Sequence, residues 1–400
     1  MHEFPAEAGV GPGDRRPAMT SPSLAAAGLG ERLRAARSGA NLTQEAAAVM
    51  VGMARTTLVA IEKGQRPVKP EELLALARLY GVSAGRLTSP DAIHVDLSAR
   101  FRRTEGREGS RAVTQALTLL NRLATGAVQL ERLLGHELRT DYPPPIRINP
   151  HLVNQQAEDA ANNLRVRLGL GLGPIPDLIS LLELELGLRI FFRPLPSQIS
   201  GLYAYDASIG ACILINAKHH WKRRVQTAIH ETGHFASDRS HADILEEGEA
   251  SVSIEERFAK RFGSAFLMPA SGVRARFDQI VGRENRFDVR ELILLAHQFG
   301  VAIEAMCRRL EELSVLPQGT WDSMRDRGFA SDLERSVIAE VGVQPKPPLI
   351  PTRLAYLAAT ALDREVLSEG QLCDLLAIDR SELREALLPF ATEEDISLHA

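Results

Sequence analysis

The sequence predicts a multidomain α+β protein with three folded parts. These are an all-α helix-turn-helix domain, an α+β domain with a small mixed or antiparallel sheet, and a small helical C-terminal subdomain. At 400 residues the chain is too long for one ordinary domain. Only 5% of its residues are aromatic, so aliphatic cores and helices are expected to dominate. Strand-like patterns occur at 188–195 and 200–216, with helical patterns on both sides.

The composition is typical of a soluble globular protein, and the scattered cysteines described below indicate the cytoplasm. Hydrophobic residues make up 44% of the chain and charged residues 24%, and there is no run of about 18 apolar residues that would predict a transmembrane helix. Residues 1–27 lack the basic and apolar parts of a secretory signal and are expected to form a disordered tail. The three cysteines are far apart, which indicates reduced thiols and argues against a thiolate zinc site.

Charge is distributed unevenly along the chain. The net charge is −4, but residues 28–90 hold nine Lys and Arg against five Glu, a local balance of +4 that leaves −8 for the remainder. A basic module on an acidic body predicts one part that binds a polyanion.

Residues 28–90 divide into four short helices with tight joints. The joints are marked by residues that end or begin helices: Gly39, Thr43, Gly52, Gly64 and Pro70. The second and third helices, with the turn that carries Gly52, predict a helix-turn-helix.

This stretch resembles the XRE family of lambda-repressor-like DNA-binding domains, through "LTQEAAA", "RTTLVAIEKGQR" and "ELLALARLYGV". The resemblance implies that Gln44 lies near a DNA phosphate. It also implies that Arg55, Thr56 and Thr57 enter the major groove of operator DNA, where arginine suits guanine edges and hydroxyls suit bases or phosphates. One module contacts half a site, so a homodimer is expected. A module that binds only proteins is the alternative.

Residues 91–150 are interpreted as a helical connector followed by a linker. Apolar residues at helical spacing over 111–135 predict one or two amphipathic helices, which serve either as core and connector or as a dimer contact. The segment "DYPPPIRINP" (141–150) predicts a semi-rigid, proline-rich linker before the next domain.

The next domain, residues 151–315, contains the sequence "AIHETGHF" on a predicted helix that follows the last strand. Because His230 and His234 are four residues apart, they share one helix face and can hold one metal ion through neutral imidazoles. Glu231 is placed to act as general base toward the attacking water and then to protonate the leaving amine. A zinc ion would lower the pKa of a water from about 15.7 to about 7. Gly233 costs about 1 kcal/mol inside a helix, which indicates close approach of a neighbouring element.

The third metal ligand is expected downstream of this motif. The metzincin pattern is excluded because Ser237 and Ser240 replace its glycine and histidine, and His241 is one residue out of phase. The gluzincin pattern places a glutamate on the following helix, and "SIEERFAKRFGSAFLMP" offers Glu255 and Glu256.

The stretches "ILIN", "RRVQTAIHETGHF" and "EERFAKRFGSAFLMP" together resemble the ImmA/IrrE family of zinc peptidases over residues of about 150–315. The positions of Ala259 and Phe262 in that family's pattern imply Glu256 as the third zinc ligand. The family usually carries Asn or Asp where this chain has Lys260, and a cation cannot accept a hydrogen bond from an imidazole N–H. Tyr203 or Tyr205, on the strand that flanks the substrate, is expected to stabilise the oxyanion.

The resemblances leave two functions open. The first is a transcriptional regulator with zinc-dependent endopeptidase activity. It would cleave an XRE-type repressor or another partner protein to control a stress response, a mobile element or a toxin–antitoxin pair. The second is a DNA-binding transcription factor or antitoxin whose non-catalytic, peptidase-like domain senses a metal or ligand.

Residues 316–400 predict a helical C-terminal subdomain. A proline-rich joint at 341–351 precedes a helix-turn-helix pattern at 367–390 that lacks a basic face. This subdomain is interpreted as a packing or dimerisation element.

Overall fold

The computed structural model describes residues 22–40, 42–82, 84–88, 111–136, 142–207, 209–239, 243–246, 253–284, 286–328, 331–342 and 348–390. The chain forms two compact units, which divide between His94 and Val95. The predictions for residues 1–21, Ser240 and His241 lie outside the described residues. No described helix is long and apolar enough to cross a membrane. All three cysteines are free thiols.

The first unit is all-α, as predicted. Its helices are α1 (Pro22–Gly39), α2 (Gln44–Met50), α3 (Arg55–Glu62), α4 (Pro70–Tyr80) and α5 (Ala84–Thr88). Helix α1 begins at Pro22, inside the segment expected to be a tail, and α5 is an additional short helix. The core is aliphatic, with Leu33, Leu58 and Leu76 completely buried.

The turn between α2 and α3 follows the predicted pattern. The Thr43 side chain accepts a hydrogen bond from the Ala46 amide at 3.1 Å and caps α2. Gly52 adopts a φ of 69° in the turn, a left-handed conformation that favours glycine. Ala54 begins α3 without a side-chain cap.

The second unit contains four strands and thirteen α-helices among its described residues. They are α6 (Arg111–Leu133), α7 (Val153–Arg167), α8 (Leu178–Leu184), β1 (Arg189–Arg193), β2 (Ile199–Asp206), β3 (Gly210–Asn216), α9 (Trp221–Ser237), β4 (Asp243–Glu246), α10 (Ile254–Leu267), α11 (Ala270–Glu284), α12 (Val289–Gln298), α13 (Ile303–Glu312), α14 (Thr320–Asp326), α15 (Ser331–Val341), α16 (Thr352–Asp363), α17 (Glu369–Leu376) and α18 (Arg380–Leu387), followed by a 3₁₀ turn at Leu388–Phe390.

The sheet has the strand order β1-β3-β2-β4 and is mixed. Strand β1 runs parallel to β3, whereas β2 is antiparallel to both β3 and β4. The sequence patterns predicted β1, β2 and β3 but did not distinguish a mixed sheet from an antiparallel one. Strand β4, which pairs with β2 alone among the described strands, was not predicted.

Helix α9 packs on β2 and β3, and α10 packs between α9 and α7. Stacked rings hold α10 in the core, with ring centroids 6.1 Å apart for Phe258 and Phe262 and 5.9 Å apart for Phe262 and Phe266. All three phenylalanines are completely buried. The α9–α10 pair therefore rests on the sheet on one side and on α7 on the other.

Helix α6 is part of the core of the second unit. It packs against β3 and against α16 and α17, and a Cβ on its Gly126 would lie 2.2 Å from the Leu375 carbonyl oxygen. Buried Glu131 binds both Arg189 and Arg353 and so ties α6 to β1 and α16. The apolar face of α6 is covered within the chain, which favours the core interpretation over a dimer contact.

The C-terminal subdomain is helical, as predicted, and docks through buried polar groups. The Arg353 amide donates to Glu183 Oε2 at 3.2 Å, and burial raises the pKa of Glu183 to about 8. Arg193 donates to the Leu376 carbonyl oxygen at 2.8 Å. These contacts join α16 and α17 to α8 and β1.

The proline-rich segment before α7 lies along α9. The Ile146 amide donates to the Ala236 carbonyl oxygen at 2.8 Å, and the Tyr142 hydroxyl donates to the Gly187 carbonyl oxygen at 3.1 Å. Residues 142–150 are therefore bound to the second unit along their length rather than forming a free spacer.

Candidate metal centre

Helix α9 brings the two motif histidines together. His230 and His234 lie one turn apart on one face, with their Nε2 atoms separated by 3.1 Å. Both residues are more than nine-tenths buried, and their rings meet edge to face with centroids 4.9 Å apart. Two imidazole nitrogens are thus held side by side in a site largely shielded from water.

Helix α10 supplies a carboxylate to the same point. Ser253 caps α10 by accepting a hydrogen bond from the Glu256 amide at 3.1 Å, which fixes Glu256 in the first turn. Its Oε1 lies 3.3 Å from His230 Nε2 and its Oε2 lies 3.3 Å from His234 Nε2. Glu255, the other residue that the pattern offered, is exposed. The structure therefore joins Glu256 to the two histidines.

Small residues allow α9 and α10 to approach closely enough for this contact. A Cβ on Gly233 would lie 2.7 Å from Ala259 Cα, and a Cβ on Gly263 would lie 3.3 Å from Ile229 Cγ2. The close approach expected from a glycine inside the motif helix is present. Gly233 lies between the two histidines in the sequence, and Ala259 lies three residues after Glu256.

The spacing of these three side chains fits a zinc ion. Ligands at about 2.0–2.1 Å from a tetrahedral zinc are separated from one another by about 3.3 Å. The nitrogen–nitrogen distance is 3.1 Å, and each histidine nitrogen lies 3.3 Å from one of the two Glu256 oxygens, so all three contacts are close to that separation. Among the described residues, His230, His234 and Glu256 form the one group of three or more His, Cys, Asp or Glu side chains whose ligand atoms lie close enough together to hold a metal ion. Three protein ligands leave a fourth position open, as in catalytic zinc sites.

The Glu256 carboxylate is held in its ionised form. Burial raises its pKa, but hydrogen bonds with His230 and His234 outweigh that effect and hold the pKa well below its usual range. An ionised carboxylate beside two imidazoles is the form that a divalent cation requires.

Glu231, the predicted general base, is completely buried on α9. Its Oε1 would lie 3.0 Å from a Cβ on Gly201 of β2, and that Cβ would lie 2.5 Å from Thr227 Cγ2. Only glycine at position 201 therefore leaves room for the Glu231 carboxylate between the strand and the helix. The role of Gly201 was not predicted from the sequence, although a glycine inside a strand pattern is a known sign of close approach.

The two candidate oxyanion donors differ in their surroundings. Gly201, Tyr203 and Tyr205 alternate onto the face of β2 that packs on α9. The Tyr203 hydroxyl is enclosed in the core, and burial raises the pKa of Tyr203 well above its usual value. Tyr205 is half-buried against Tyr142, with ring centroids 6.2 Å apart. Of the two, Tyr205 has a side chain open to a bound molecule.

Lys260 is exposed and lines a cleft of about 370 Å³ that also contains His230. Lys260, which stands where the family resemblance implies Asn or Asp, is therefore open to solvent and to the cleft.

The predicted DNA contacts lie on α2 and α3 of the first unit. Gln44 and Arg55 line the same depression, and Thr56 is exposed beside Arg55 at the start of α3. Arg55 lies 3.6 Å from Glu45, in an exposed ion pair. Thr57 is half-buried.

Gln44 is partly committed to a contact within the protein. Its Nε2 donates to Glu62 Oε2 at 2.7 Å, and Glu62 in turn binds Arg37 at 2.6 Å. One of the two amide N–H donors of Gln44 is thereby used, which leaves the second for a phosphate.

Comparison with protein families agrees with both units. A helix-turn-helix domain model matches residues 28–88, and a peptidase-family model described as the IrrE N-terminal-like domain matches residues 184–311. The second match spans His230, His234 and Glu256. No curated protein matches the chain. The chain therefore joins an N-terminal helix-turn-helix domain to an ImmA/IrrE-type domain, as the sequence motifs predicted.

Proposed function

We propose that this protein is a cytoplasmic transcriptional regulator whose ImmA/IrrE-type domain is a zinc-dependent endopeptidase. Its substrate would be an XRE-type repressor or another partner protein that controls gene expression. The observation that supports this proposal most strongly is the spacing of His230, His234 and Glu256, which suits one zinc ion with an open fourth position.

The residues of the site have distinct chemical roles in this proposal. Zinc held by the triad would polarise the scissile carbonyl and make a water acidic enough to attack it near neutral pH. Glu231 accepts the proton of the attacking water and delivers it to the leaving amine. Gly201 keeps the Glu231 carboxylate in place between β2 and α9, since any side chain there would displace it. Tyr205 is the candidate donor to the oxyanion.

The helix-turn-helix domain would direct the protein to an operator. Arg55 and Thr56 are exposed at the start of α3, the helix that enters the major groove in this kind of module, and Thr57 follows in the same turn. Arg34 and Lys63 add positive charge around the same depression, where Arg37 is paired with Glu62. Because one module contacts half a site, we expect a homodimer on DNA.

The test of the peptidase proposal compares the wild-type protein with Glu231→Gln. Both proteins are loaded with zinc and incubated with a repressor encoded beside the gene and with a peptide library made from a whole proteome. New N-termini are then identified by mass spectrometry. We expect new termini with the wild-type protein alone, while both proteins retain zinc. Equal cleavage by the two proteins would show that Glu231 is not the base.

Lys260 favours a second candidate function. With lysine where relatives carry Asn or Asp, the domain would bind a metal or ligand without catalysis, and the protein would act as a DNA-binding transcription factor or antitoxin. In that case the wild-type protein would bind zinc and operator DNA but would produce no new termini from either substrate.

A further inference from the structure

A cleft lies directly beside the candidate metal centre. It is lined by successive turns of α9 that carry Lys222, Gln226 and His230 and by residues of α10 from Arg257 onward. Small and apolar residues also line it: Leu267, Met268, Val301, Ala302 and Ala305. At about 370 Å³ it is large enough for a few side chains of a bound chain and too narrow for a nucleic-acid duplex.

The cleft is strongly basic. Among the described residues that line it, one is acidic, Glu312, and six are basic: Lys222, Arg257, Lys260, Arg261, Arg308 and Arg309. This charge contrasts with the net charge of −8 carried by the chain outside residues 28–90. A concentrated positive charge beside a metal centre predicts a negatively charged ligand.

Four of the six cations are already paired with carboxylates of the same unit. Arg261 and Arg309 both bind Glu158 and Glu312 at distances between 2.5 and 3.3 Å. Arg308 lies 3.0 Å from Glu304 and 3.3 Å from Asp322, and Lys222 lies 3.8 Å from Glu334. Those four cations are therefore held by ion pairs within the protein.

Arg257 and Lys260 differ from the other four. Both are exposed on one face of α10, in the turn that follows Glu256, and within the described residues neither has a carboxylate within 4.0 Å. Polar side chains that can hydrogen-bond to a peptide backbone lie around the same cleft: Asn154, Gln226 and Ser264. Two cations without a carboxylate partner among the described residues therefore line the same cleft as His230 and several apolar side chains.

We propose that this cleft binds an acidic segment of the substrate polypeptide, with Asp or Glu side chains of the substrate paired to Arg257 and Lys260. The inference rests on the proposed peptidase function, because it places that segment beside the bond to be cut. It also gives Lys260 a role in this chain, namely recognition of the substrate in place of support for a histidine.

Binding of defined peptides to the full-length protein tests this inference. The protein carries Glu231→Gln so that the peptides stay intact, and fluorescence anisotropy is measured with three fluorescein-labelled peptides that differ only in a central block of Asp, Asn or Lys. The test variant is Arg257→Glu with Lys260→Glu. The matched control is Arg283→Glu with Arg327→Glu, two exposed arginines of the same unit outside the cleft.

We expect the Asp peptide to bind about tenfold more tightly than the Asn peptide, since two partly exposed ion pairs contribute about that factor. The preference should shrink as salt is added. It should disappear in the test variant and persist in the control. The basic helix-turn-helix domain is unchanged in every variant, so loss of the preference in the test variant alone assigns it to the cleft.

Three results would overturn the inference. They are equal binding of the Asp and Asn peptides, an Asp preference that survives in the test variant, and displacement of the Asp peptide by inorganic phosphate at concentrations similar to its own, which would assign the cleft to a small anion. Zinc content and cleavage are measured separately on the wild-type protein. A protein that cleaves without an acidic preference refutes this inference only, whereas one with the preference and no cleavage refutes the peptidase proposal.

Discussion

The substitution Gly233→Ala tests the packing that brings the metal ligands together. On helix propensity alone, alanine should stabilise α9 by about 1 kcal/mol. In this structure, however, the new Cβ would lie 2.7 Å from Ala259 Cα and 3.1 Å from the Ala259 carbonyl oxygen. Both are backbone atoms, so no side chain can move aside to relieve the contact.

The expected effect follows from these distances. Ordinary contact begins near 3.4 Å, so α9 and α10 must separate by about 0.7 Å. The separations of 3.3 Å between Glu256 and the two histidines would then approach about 4 Å, beyond the spacing that zinc requires. Overpacking costs about 1–3 kcal/mol, which cancels or exceeds the gain in helix propensity. We expect zinc affinity to fall by at least about tenfold, comparable to the loss of a supporting contact in other metal sites.

Chelator competition measures the zinc affinity, and thermal unfolding of the metal-free protein measures the packing cost. Gly282→Ala is the matched control, because Gly282 lies in α11 and a Cβ there would meet nothing within 4 Å. The control should be slightly more stable than the wild type and should bind zinc equally well. If Gly233→Ala also gained stability and kept its zinc affinity, the close-packing argument would be wrong.

Three further predictions concern the base, the DNA contact and the C-terminal subdomain. Gly201→Ala should displace the Glu231 carboxylate, so we expect the zinc content to be kept and cleavage to be lost. Unchanged cleavage would show that Glu231 does not need the space that Gly201 leaves beside it. Arg55→Ala should weaken binding to the promoter region of its own gene by about 1–3 kcal/mol, while Arg78→Ala, an exposed arginine of α4, should have little effect; equal effects in a gel-shift assay would argue for charge alone. Because burial raises the pKa of Glu183 to about 8, folded Glu183 keeps a proton that the unfolded chain loses above its ordinary value of 4.5. Stability should therefore decline between about pH 5 and pH 8 in the wild type, and the decline should be smaller by more than about 1 kcal/mol in Glu183→Gln; parallel pH profiles of the unfolding temperature would refute this.

Features that depend on local spacing could be predicted from the sequence. The order of helices and strands from α7 to α9 follows from hydrophobic periodicity, as does helix α10, and the turn at Gly52 follows from its preference for a left-handed conformation. The shared face of His230 and His234 follows from helical geometry alone. The close approach at Gly233 was also predicted, because a glycine inside a helix lowers stability and is therefore expected where a neighbouring element leaves no room for a side chain.

Features that depend on tertiary contacts could not be predicted in this way. Strand β4 is only four residues long and pairs with β2 alone, so its short sequence carries little periodic signal. The space that Gly201 leaves for Glu231 arises between a strand and a helix that are distant in the sequence. Carboxylates from several helices pair with the other arginines of the cleft but not with Arg257 or Lys260. This difference also depends on tertiary contacts that the sequence does not reveal.

The zinc content of two adjacent variants tests the central claim most directly. Glu255 and Glu256 are neighbours of the same chemical type, but only Glu256 lies beside the histidines. Metal analysis should find one zinc ion per chain in the wild type and in Glu255→Gln, and little zinc in Glu256→Gln. A wild-type protein without zinc, or equal zinc in the two variants, would contradict the assignment of His230, His234 and Glu256 as the metal centre.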